Sequence, residues 1–111
     1  MPIYVYKDSL SDAEREFVEV QLKRLASLSF QELCAIPESL GISVPEDLAP
    51  FTAHIIREPI REGLVRVIVQ GFRKNKKFFF IQFAAVEAGG FSKDQLGTFK
   101  ELEPQDLYGY T

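Results

Sequence analysis

Two stretches dense in valine, isoleucine and phenylalanine, residues 64–73 and 77–87, flank a basic run, and this pairing constrains the fold more than any other feature. Such density of β-branched and aromatic residues marks both as strands. The run between them, Arg73-Lys74-Asn75-Lys76-Lys77, leaves room only for a hairpin turn. Register then matters, because a slip of one residue exchanges the faces of one arm relative to the other. With a loop of about three residues, Lys74 to Lys76, and a left-handed residue at Asn75 or Lys76, Val65, Val67 and Val69 share a face with Phe79, Ile81, Phe83 and Ala85. That face is wholly apolar and is expected to carry a helix. A shorter loop would mix polar side chains into both faces. The opposite face holds Leu64, Arg66, Ile68, Gln70 and Phe72 with Phe78, Phe80, Gln82, Ala84 and Val86. It is apolar except at Arg66, Gln70 and Gln82, and little of the chain is left to cover it. Large uncovered apolar patches mark contact surfaces.

The helix for the first face is equally legible. Ser11 and Glu14 make a capping box, in which serine oxygen and glutamate satisfy each other's amides. The spacing of Phe17, Val18, Leu22, Leu25 and Leu28 gives a buried stripe and predicts a helix to about residue 28. Glu14, Arg15, Glu19, Lys23 and Arg24 fall on its wetter sides. A second box, Ser29 and Glu32, opens a shorter helix with Phe30, Leu33 and Ile36, closed by Pro37 and Gly41. Residues 37–50 read as an ordered connector anchored by Leu40, Ile42, Val44 and Leu48, with a single turn at Glu46-Asp47-Leu48. Residues 3–7 and 51–57 read as strands, and Gly89-Gly90 is expected to end the second hairpin arm. Residues 98–102 suggest a last strand, and 104–110 a helical turn or tail. Phe99, Leu102, Leu107 and Tyr108 are the residues with which such a tail would fold back over the second face. The expected fold is α+β, one domain over residues 1–111. An N-terminal strand and two helices precede an antiparallel β-meander, with one face under the first helix.

Composition narrows the function classes. The chain has 111 residues, 46% hydrophobic and 26% charged, near globular averages. A single cysteine, Cys34, precludes an intrachain disulfide and suits a reducing compartment. The N-terminus lacks the basic start and apolar run of a signal peptide. No apolar stretch reaches the ~18–20 residues of a membrane span, so a cytoplasmic location is expected. Net charge is −3, so nucleic acid would have to be met by a local basic patch and not by the overall field.

Individual residues offer little chemistry. His54 is the only histidine, and with no cysteine beside it a metal site is not expected. Arg57, Glu58, Arg61 and Glu62 after it read as a solvated strand end or loop. Cys34 reads as a small hydrophobe, since a catalytic thiol would need His54 as its base. Residues 91–103 place Asp94, Gly97 and Glu103 at calcium-loop positions, but Ser92 and Leu96 occupy places where acidic or amide oxygens are needed. That segment reads as a turn with similar chemistry. The hairpin run supplies a further candidate. Arg73, Lys74, Lys76 and Lys77 beside Phe72 and Phe78 combine cations with stacking rings, the composition that single-stranded nucleic acid needs. Lysines at a turn also keep an aromatic hairpin soluble.

Pro2, the following strand and the helix opened by Ser11-Asp12-Ala13-Glu14-Arg15 locally resemble the start of the tautomerase superfamily, over about a fifth of the chain. The resemblance implies Pro2 as a secondary-amine general base after removal of Met1. The proline-bearing connector and the phenylalanine-rich hairpin depart from that pattern. The order of strand, two helices and meander also resembles small bacterial mRNA-cleaving toxins, with no residue motif in common. No constellation amounts to an active site, a metal site or a cofactor site. The reading expected is a small, non-enzymatic, bacterial-type cytoplasmic interaction module. It would work as a homodimer through Phe72, Phe78, Phe80, Arg66, Gln70 and Gln82. Nucleic-acid binding or cleavage through Arg73, Lys74, Lys76 and Lys77, and proline-based tautomerisation, are the alternatives.

Overall fold

A computed structural model of the chain describes residues 3–110. β1 (Ile3–Asp8) leads into α1 (Asp12–Ala26) and a short α2 (Phe30–Cys34). β2 (Ser39–Ile42) and a 3-10 turn (Glu46–Leu48) follow, then β3 (Thr52–Arg61), β4 (Leu64–Phe78), β5 (Ile81–Asp94) and β6 (Phe99–Glu101). A second 3-10 segment, Pro104–Tyr110, ends the described chain. Among the described residues the strands form one sheet in the order β1-β5-β4-β3-β2, with β6 also on β5. All pairings are antiparallel except β1 on β5. The fold is α+β, as the sequence pattern predicts.

Both capping boxes form. Glu14 N donates to Ser11 Oγ at 3.2 Å and Ser11 N to Glu14 Oε1 at 2.7 Å, and Ser29 and Glu32 repeat the exchange at 3.1 and 3.0 Å. α1 ends at Ala26, short of residue 28, where β5 intervenes. The buried Lys93 ammonium donates to the carbonyls of Ala26 (2.7 Å) and Leu28 (2.8 Å), capping the last turn. Val18 and Leu25 are buried, with Phe17, Leu22 and Leu28 packed beside them, on Val65, Val67, Val69, Ala85 and Phe91 of the sheet. Leu33 of α2 and Phe51, Ala53 and Ile55 complete the core. Glu14 departs from the expected wet side. It is buried and paired with Arg73 of β4, a partner 59 residues away that helical periodicity cannot reveal.

The hairpin turn is not at Lys74–Lys76. β4 runs on through the basic stretch, and Phe79-Phe80 make the turn, with Phe78 opposite Ile81 and Lys77 opposite Gln82. A bulge between Lys74 and Lys77 absorbs one residue. Asn75 does not turn the chain. Its side-chain amide instead donates to Asp8 Oδ2 of β1 at 2.7 Å and accepts from Arg73 Nε, while Gln82 Nε2 donates to its backbone carbonyl at 3.0 Å. Up to the bulge the predicted faces hold: Val65, Val67 and Val69 lie under α1, and Arg66, Ile68, Gln70 and Phe72 lie opposite. Beyond it β4 changes parity. Phe78, expected beside Phe72, lies on the other face against Ile81 and β1.

Gly89 and Gly90 do not end β5 either. A Cβ on Gly89 would stand 2.6 Å from Leu22 Cδ1, and one on Gly90 would stand 2.7 Å from the Val67 carbonyl and 2.9 Å from Leu102 Cδ1. Glycine is used here for close approach on both faces, not for chain reversal. β5 reaches Asp94, whose carboxylate accepts from the amides of Leu96 and Thr98, both at 2.9 Å. The calcium-loop lookalike is therefore a turn stabilised by its own aspartate. The connector holds its predicted turn at Glu46–Leu48 and also a strand, β2, which pairs with β3.

The tail does fold back. Leu102 N donates to Gly90 O at 3.0 Å, its side chain lies near Ile68, and Gln70 Nε2 donates to the Tyr110 carbonyl. Ile68 and Ala84 of the second face are fully buried. Phe99 instead packs on Phe91 at 5.1 Å on the helix side, and Tyr108 is exposed. The helix, the sheet and the tail thus seal one end of the hairpin only. Phe91→Ala is expected to cost ~3–5 kcal/mol in urea unfolding and Phe80→Ala under ~1 kcal/mol, since Phe91 is 2% exposed and Phe80 73%. Equal costs would contradict this placement of the core.

Candidate functional site

Beyond the first turn of α1, β1, β5 and β4 continue as a three-stranded ribbon with no helix over it. Its boundary is a polar lock. Arg73 pairs with Glu14 and donates to the Ser9 carbonyl at 3.1 Å, and Asn75 holds Asp8. Nearby, Arg15 binds Glu87 through two hydrogen bonds at 2.9 and 3.1 Å, and the Leu10 amide donates to the same carboxylate at 2.7 Å. Burial pushes the Glu87 pKa up, but the Arg15 bonds, the Leu10 amide and the Arg15 charge outweigh it and hold the carboxyl below its ordinary value.

The ribbon has two unlike sides. Register places Ile3, Val5, Phe78, Ile81 and Phe83 on one of them, every one apolar. Ile3 is 64% exposed and Phe78 55%. Phe79 and Phe80 cap the tip, with Phe79 edge-on to Phe78 at 4.5 Å. The other side carries Tyr4, Gln82, Ala84, Lys74 and Lys77, joined at its base by Phe72. Tyr4 and Tyr6 stack at 5.9 Å with planes 10° apart, and Tyr6 meets Phe72 edge-on at 6.4 Å. Lys74 Nζ stands 6.0 Å from the Tyr4 ring centroid, within cation–π reach.

Charge is segregated as well. The chain is net −3, yet residues 74–86 contain Lys74, Lys76 and Lys77 and no aspartate or glutamate. Among the described residues none of these lysines is in an ion pair. The nearest carboxylates, Asp8 and Glu14, are engaged by Asn75 and Arg73.

The expected interface residues are therefore dispersed. Phe78 and Phe80 are exposed at the end, and Phe72 is half-buried against Tyr6. Gln70 is tied to the tail and Gln82 is buried, supporting the bulge. Arg66 lies half-buried further along, its Nε without a hydrogen-bond partner among the described residues. Of the expected nucleic-acid contacts, Lys74, Lys76 and Lys77 are exposed, whereas the Arg73 guanidinium is committed to the lock. Sequence reading missed Tyr4 and Tyr6. Their alternation with Ile3 and Val5 was available as a signal, but nothing local says that β1 lies parallel to β5.

Elsewhere, His54 lines a shallow cavity of about 320 Å³ with Tyr6, Thr52, Gln70, Phe72 and Tyr110. Cys34 is exposed at the end of α2, not buried as expected. No group of three or more potential metal ligands occurs among the described residues, and no helix there is long and apolar enough to cross a membrane. Pro2 lies outside the described residues. No protein-family model, curated protein or solved structure matches the chain.

The turn itself singles out this end. Phe79 has φ of +52°, the left-handed region that hairpins normally fill with glycine or asparagine. A bulky residue there is strained by ~1–3 kcal/mol, and its ring is 78% exposed, so burial does not offset the strain. Phe79→Gly is expected to leave stability unchanged or raise it by about 1 kcal/mol in urea unfolding. A loss above ~1 kcal/mol would mean that the ring packs for stability.

Proposed function

We propose that this chain is a non-enzymatic interaction module that self-associates through the apolar side and tip of its hairpin end. The observation that carries the reading is the exposure of Ile3, Phe78, Phe79 and Phe80 together, on a projection that contributes nothing to the core cluster. Each phenylalanine is worth ~1.5–3 kcal/mol when fully buried, so leaving three of them in water favours any contact that covers them. A second copy fits the chemistry. Apart from the exposed Lys76, whose long side chain can keep its ammonium in solvent, the register-placed residues of this side are uncharged, so two such sides can meet with little charge to desolvate, while Lys74 and Lys77 lie on the opposite side. A two-fold contact buries the same patch twice.

Sedimentation velocity at roughly 50 μM, where a half-formed dimer corresponds to ~6 kcal/mol, tests the reading. The wild type should sediment as a dimer, and Phe78→Glu as a monomer with unchanged circular dichroism. A monomeric wild type removes the proposal, and a dimeric Phe78→Glu moves the interface elsewhere.

A further inference from the structure

We infer that the opposite side of the hairpin end, built by Tyr4, Tyr6 and Phe72 with Lys74 and Lys77, is a binding surface for single-stranded nucleic acid. Three observations converge on it. The first is the ring ladder: Tyr4, 38% exposed, and Tyr6, 52% exposed, stack on one another, and Phe72 props Tyr6 from below. Unstacked bases bind to such platforms on open sheet faces, and each base has a π-face to offer.

The second is charge complementarity. In a chain of net −3, residues 74–86 carry Lys74, Lys76 and Lys77 and no acidic residue, the neighbouring Asp8 carboxylate is turned to Asn75, and Lys74 and Lys77 flank the rings on the same side. A phosphate backbone passing the ladder would meet two ammonium groups while its bases face the tyrosines. A globally acidic surface repels the same polymer elsewhere, which confines it to this end.

The third is the construction beneath. The bulge is what brings Lys74 and Lys77 onto one side, since without it they would lie on opposite sides. Gln82 and Asn75 hold that bulge through hydrogen bonds to backbone, to Asp8 and to Arg73. The surface selects single strands because its rings are open only to bases released from pairing, and the ribbon offers no helix to enter a groove. The inference is independent of self-association, which uses the other side.

Fluorescence anisotropy with labelled oligouridylate and oligothymidylate of about a dozen nucleotides tests it. Both should bind at low salt. Two lysines at about −0.7 each give a logarithmic salt slope near −1.4, or roughly 7-fold weaker binding at about 200 mM than at about 50 mM salt. Tyr4→Ala should weaken binding at least about 5-fold, as loss of one stacked base does, while Tyr4→Phe retains it. Lys74→Ala should make the slope shallower by about 0.7. Phe78→Glu should still bind, so a failure of self-association does not disturb this result. No binding at low salt, equal binding of a duplex, or indifference to Tyr4→Ala overturns the inference. So does capture by phosphatidylserine vesicles without oligonucleotide binding, which would assign the end to an anionic lipid surface.

Discussion

Fifteen residues make a strand of about 50 Å but a helix of only about 22 Å, and the rest of the structure follows from this mismatch between β4 and α1, each fifteen residues long. Laid along the hairpin, α1 reaches from Lys93 to Arg73 and leaves the turn end uncovered. Val65, Val67 and Val69 fall inside the covered part and are fully buried, and everything past Arg73 falls outside. The longest dimension of the molecule, 50 Å, is of the same size as that strand. The tail with Leu102 and Tyr110 seals one face, and α2 with Leu33 and the connector with Ile42, Val44 and Leu48 add to the core.

The uncovered part persists as ordered strand because its polar groups are satisfied from within. Gln82 donates to the Asn75 and Phe83 carbonyls at the bulge, the Asn75 side chain ties the bulge to Asp8 and Arg73, and β1 adds a third strand in parallel register. Arg73 and Glu14 join this ribbon to the start of α1, where the carboxylate also caps the helix. One buried glutamate thus serves helix, sheet and ribbon. The consequence is a hydrogen-bonded platform with an apolar side and an aromatic, cationic side, at one end of a chain of net −3.

Much of the covered part was legible in the sequence. The capping boxes at Ser11 and Ser29, the helical stripe and the alternation of 65, 67 and 69 are local patterns, and each appears where it was expected. The uncovered part was not, for three physical reasons. A bulge shifts parity without any residue signature, so Phe78 was assigned to the wrong side. Phe79-Phe80 lacks the glycine or asparagine by which a tight turn is recognised, whereas Lys74-Asn75-Lys76 has one. Parallel pairing of β1 with β5 joins segments separated by nearly the whole meander, so Tyr4 and Tyr6 could not be placed beside Lys74. The same non-locality hid the burial of Glu14.

The two-sided platform stands or falls on where the hairpin turns, and cross-strand nuclear Overhauser contacts measure that directly. A turn at Phe79-Phe80 predicts contacts between the backbones of Lys77 and Gln82 and of Phe78 and Ile81, with Tyr4 close to Gln82. Contacts pairing Phe72 with Phe78 and Arg73 with Lys77 would instead place the turn at Lys74–Lys76. In that case the bulge, the aromatic ladder and the separation of the apolar and cationic sides would all be wrong.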